Sequence, residues 1–151
     1  MSRLIFLLFL AVTAGAAVRP GGPAKCMGGT LPMLRTGMNG EVLTGTPDAF
    51  VFVASSGTVR IPYDKINLIE YGQDVGRRVV LAWVISPIFL LLKSRKHFIT
   101  VGFQDAEGRQ QALVLRLDKR IVRSTLATIE ARSGRTWTYQ DQDARKYHRG
   151  G

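Results

Sequence analysis

The spacing of hydrophobic and polar positions changes along the chain, and each change predicts an element. Short runs of strand composition fall at 41–44, 49–54, 58–62 and 66–71. Thr46-Pro47-Asp48 and Ser55-Ser56-Gly57 separate the first three of them with residues that fix φ or accept unusual values, as antiparallel reversals require. Strict alternation follows at 97–104, where His97, Ile99, Val101 and Phe103 share one face and Phe98, Thr100 and Gly102 share the other. A second alternating run, 110–117, places Leu113, Leu115 and Leu117 together, and Asp105-Ala106-Glu107-Gly108 joins the two runs as a hairpin. The period then lengthens, with Val122, Leu126 and Ile129 at helical spacing and Arg120, Arg123, Thr128 and Arg132 on other faces. Asp118 is placed to cap the N-terminus and Gly134 to end the last turn in a left-handed conformation, which predicts a helix over 119–133. A short strand at 136–139 comes last. The pattern predicts a mainly β domain: a sandwich or open barrel of six to seven antiparallel strands, with one C-terminal amphipathic helix plugging an end.

The termini follow other rules. After Ser2-Arg3, an apolar run from Leu4 to Val12 leads into the small residues Ala14-Gly15-Ala16-Ala17, so residues 1–17 read as a signal peptide. Export to the periplasm or cell envelope is the expectation. Residues 18–39, rich in Gly and Pro, read as a flexible linker, and 141–151 as a polar, basic, disordered tail. The domain is therefore expected over 40–140.

Within it lies an apolar insertion, residues 79–92, clamped by Arg77 and Arg78 on one side and by Lys93, Arg95 and Lys96 on the other. As a helix it would reach only about 21 Å, against about 30 Å of bilayer hydrocarbon, and Ser86-Pro87 would break it. Trp83, Ile85, Ile88, Phe89 and Leu91 are its candidate contact residues. Two readings stay open. The loop dips into one leaflet of an anionic membrane whose headgroups hold the flanking cations, or it packs against protein: an internal core, an envelope partner or a second copy of the chain.

Charge narrows the partner. Lys and Arg number 21 against 11 Asp and Glu, a net +10, so the surface attracts anions. Export argues against nucleic acid, although Lys119, Arg120, Arg123 and Arg132 with Trp137 and Tyr139 make a basic, aromatic-bearing stretch; the solvated side of a helix explains them better. The one cysteine, Cys26, forbids an intramolecular disulfide, and its place in the linker suits a free thiol or an intermolecular bridge. His97 and His148 have no carboxylate or thiol at ligand spacing, and no glycine-rich phosphate loop leads into a helix, so neither cofactor nor metal is expected and no catalytic constellation emerges.

Val59-Arg60-Ile61-Pro62-Tyr63-Asp64-Lys65-Ile66 with Ile69-Glu70-Tyr71-Gly72 resembles the third and fourth strands of bacterial pleckstrin-homology-like and GRAM-like domains. Lys96-His97-Phe98-Ile99-Thr100-Val101-Gly102-Phe103 and 125–134 are similar to uncharacterised exported bacterial members of that group. The resemblance implies a non-catalytic module that binds lipid headgroups or peptides. The first hairpin of headgroup-binding members carries Lys and Arg, whereas the turn read here as its counterpart, Thr44-Gly45-Thr46-Pro47-Asp48, carries none.

Overall fold

The computed structural model describes residues 21–73 and 96–139. The expected signal peptide, the insertion 79–92 and the basic tail lie outside the described residues.

Eight strands and one helix follow in order: β1 (Gly21–Gly29), β2 (Asn39–Leu43), β3 (Ala49–Ala54), β4 (Gly57–Pro62), a 3-10 turn (Tyr63–Lys65), β5 (Ile66–Gly72), β6 (His97–Gln104), β7 (Gln110–Leu117), α1 (Lys119–Ser133) and β8 (Thr138–Tyr139). They form one open mixed sheet in the order β4-β3-β2-β1-β7-β6-β5-β8. All neighbours are antiparallel except β5 and β8. The strand count and the all-antiparallel expectation are corrected by β1, which had no alternating pattern, and by β8, which pairs parallel with β5 at Glu70 and Tyr71.

The segment read as a linker holds the sheet together. β1 pairs with β2 on one side and β7 on the other, so 21–29 is a central strand. Gly is usually a poor strand former, but here the backbones approach too closely for a side chain. A Cβ on Gly29 would lie 2.4 Å from the Ala112 carbonyl oxygen, at a φ of +152° that disfavours any other residue. The register shifts between Cys26 and Gly28, a bulge that bends the strand. Cys26 is a free thiol, but it is fully buried in the core rather than placed in a linker.

One apolar cluster joins both halves of the sheet to the helix: Val42, Phe50, Phe52 and Ile61 from the first half, Ile69, Ile99, Val101 and Leu115 from the second, and Val122, Leu126 and Ile129 from α1. Each large side chain so buried contributes about 1.5–3 kcal/mol. The helix forms where the spacing requires. The Asp118 side chain accepts from the Arg120 N–H, and Gly134 closes the last turn at φ 68° with its N–H bonded to the Glu130 carbonyl. The opposite face of β6 and β7 differs from a simple alternation. Phe98, Thr100, Ala112 and Val114 are buried too, although they stand outside the central cluster. These strands are covered on both sides.

Candidate functional site

β5 and β6 are neighbours, and Gln73 and Lys96 meet at their shared end. The last described bond of the pair, from the Lys96 N–H to the Gln73 carbonyl, is 3.3 Å long. At this end a cavity of about 500 Å³ opens between β1, β2, β6, β7 and the first residues of α1. Register explains what lines it. Lys25 of β1 sits opposite Arg116 of β7 and Asn39 of β2, so the one long cation on each of two central strands falls at the same level. Lys96 and His97 reach it from the start of β6, Asp118 and Lys119 from the start of α1.

Four cations and one carboxylate therefore converge. Asp118 is occupied: its carboxylate accepts from the Arg120 side chain at 2.9 and 3.3 Å and from the Arg120 N–H at 3.0 Å. The Arg120 hydrogen bonds hold its carboxyl below the usual carboxylate range. Among the described residues, no ion pair engages Lys25, Lys96, Arg116 or Lys119. Such a cavity is an excess of positive charge with low-dielectric walls, which focuses the field on an incoming anion.

His97 sits at its edge, half-buried, with Nδ1 2.6 Å from the hydroxyl of the buried Tyr71 and the two rings nearly parallel. Burial, and next the charge of Lys119, push the imidazole below its ordinary pKa, with Asp118 opposing them. The net effect favours the neutral ring.

Of the candidate contact residues, Lys96 is described, is exposed and lines the cavity. Arg77, Arg78, Trp83, Ile85, Ile88, Phe89, Leu91, Lys93 and Arg95 lie outside the described residues. The basic, aromatic stretch near the C-terminus separates. Lys119 turns to the cavity and Arg120 pairs with Asp118. Arg132 lies 5.6 Å over the Tyr63 ring and donates to the Thr46 carbonyl. Trp137 donates to Glu130 at 3.1 Å and packs edge-on against Tyr71 and Tyr139. Those rings are packing groups.

Other polar candidates have structural tasks. Asp105 ties its hairpin, accepting from the Arg109 N–H at 2.8 Å and from the Gln111 amide at 2.9 Å. Burial alone would raise its pKa, but those bonds outweigh it and hold the carboxyl low. Burial pushes the Cys26 thiol up, only partly offset by its bond to the Gly28 carbonyl, which keeps it protonated and a poor nucleophile. No group of three His, Cys, Asp or Glu among the described residues could hold a metal ion.

The sequence pointed to Lys96 but missed Lys25, Asn39 and Arg116. Lys25 stood in an apparent linker, and Arg116 read as an ordinary polar position of an alternating strand. The one available signal was that Arg116 is the only cation within the run 110–117. Comparison with protein-family models and with curated proteins returned no match for this chain.

Proposed function

We propose that the protein is an exported, non-catalytic binding module of the cell envelope that docks on an anionic membrane surface. One observation carries the reading: Gln73 and Lys96, which flank the apolar segment in sequence, meet at the end of the sheet where the cavity lined by Lys25, Lys96, Arg116 and Lys119 opens. An apolar sequence with basic flanks, joined to the sheet beside cations without ion pairs among the described residues, suits a lipid interface, where hydrocarbon takes apolar groups and headgroups take the cations. The strand order with a C-terminal helix supports the pleckstrin-homology-like assignment implied by the sequence.

The test is co-sedimentation of the exported chain with neutral and with anionic vesicles, alongside its mass by light scattering. Binding that needs anionic lipid and is lost in Trp83→Ser/Phe89→Ser, with the fold intact by circular dichroism, is the expected result. A stable dimer that ignores vesicles overturns the reading and makes 79–92 a protein interface.

A further inference from the structure

A basic cavity containing only lysines and arginines attracts anions at any pH near neutrality. This one is also lined by an imidazole, His97, and that changes what it can do. We propose that the cavity binds a phosphate group, carried by a lipid headgroup or by a soluble phosphate ester, and that His97 couples this binding to proton uptake. The inference rests on the anionic-surface reading only in taking the same cavity as its site.

The geometry supplies both parts. Lys25 of β1, Arg116 of β7, Lys119 of α1 and Lys96, just before β6, line one open concavity. Lysine supplies point charges and Arg116 a planar fork of donors, the combination that recognises tetrahedral oxyanions. Among the described residues, Tyr71 of β5 hydrogen-bonds His97, the charges of Lys119 and Asp118 from α1 act on it, and Lys25, Lys96 and Arg116 line the same cavity. Lysine and arginine side chains stay charged between about pH 5 and 8, and Asp118 stays ionised, so histidine is the group that titrates there.

Burial, and after it the positive charge of Lys119, disfavour imidazolium. An anion of two charges reverses that local field, and the protonated ring becomes favourable. By linkage, whatever raises the His97 pKa on binding must itself bind more tightly as pH falls. A rise of about one unit corresponds to about tenfold in affinity across the titration. Tyr71 accommodates both states, since its hydroxyl donates to Nδ1 of the neutral ring and accepts from the protonated one.

Sulfate is the first probe, because it remains a dianion throughout and leaves the protein as the source of any pH dependence; inorganic phosphate follows. The His97 ring is titrated by NMR with and without saturating sulfate and assigned through His97→Gln, which separates it from His148. The expected result is an upward pKa shift with sulfate, binding about tenfold tighter at pH 5.5 than at 7.5, a flat profile in His97→Gln, and loss of binding in Lys25→Gln/Arg116→Gln. An unmoved His97 pKa, or a pH dependence that survives His97→Gln, overturns the inference.

Vesicles separate it from the broader reading. Phosphatidic acid vesicles that shift His97 and are displaced by free phosphate identify the lipid headgroup as the source. Sulfate binding linked to His97 with no vesicle binding leaves the anion site standing, assigns it a soluble phosphate ester and sinks the membrane reading. Vesicle binding that leaves His97 unmoved does the reverse.

Discussion

Neutralising single cations distinguishes a defined site from diffuse attraction to a +10 protein. Near an anionic membrane each Lys or Arg contributes about 1 kcal/mol, or about fivefold in partitioning. Lys25 and Arg116 face each other across paired strands and engage in no ion pair among the described residues, so both charges are available to a ligand. Lys25→Gln and Arg116→Gln are each expected to weaken binding to vesicles containing phosphatidylglycerol about fivefold, and together with Lys119→Gln about a hundredfold. Lys65→Gln is the control, since Lys65 is exposed on the 3-10 turn and outside the cavity. It is expected to change binding less than twofold at physiological salt, where the Debye length is about 8 Å. The assay is a sedimentation isotherm at matched ionic strength, with urea unfolding of each variant to exclude loss of fold. Equal losses for Lys65→Gln and Arg116→Gln would refute the reasoning, because the whole basic surface would then be responsible.

Three further outcomes test the fold. Thr125 is fully buried in α1 and its hydroxyl has no hydrogen-bond partner among the described residues, so Thr125→Val is expected to stabilise the protein by about 1 kcal/mol in urea unfolding, whereas Thr125→Ser, which keeps the hydroxyl and loses a methyl, costs about 1 kcal/mol. Cys26 is expected to resist a thiol reagent in the native state at pH 8 and to react fully in urea, a contrast read by absorbance; rapid native labelling would refute its burial. Gly29→Ala places a Cβ against the Ala112 carbonyl at a positive φ and is expected to cost at least about 2 kcal/mol, where an exposed linker glycine would cost nothing.

Much of the domain was legible because its elements carry their own periodicity. β3, β6, β7 and α1 occur where alternation, turn residues and caps place them, and Asp118 and Gly134 bound the helix as their chemistry requires. β1 was not legible. Its glycines satisfy the backbones of β2 and β7, neighbours 10 or more residues away in sequence, and nothing local to 21–29 records that approach. The second buried face of β6 was hidden for the same reason, since alternation sets Phe98 and Thr100 on the face opposite Ile99 and Val101 without recording what packs on them.

The candidate site divides the same way. The sequence alone determined the basic balance, the apolar segment between its cationic flanks and the capped helix, because composition, run length and helix signals are local properties. Tertiary structure alone decided that Lys25, Arg116 and Lys119 meet Lys96 and His97 around one cavity, since strand register and a sheet order that brings β1 beside β7 set those distances. Side chains on separate strands become neighbours by hydrogen-bonded pairing, and pairing partners are chosen by the whole fold rather than by either strand.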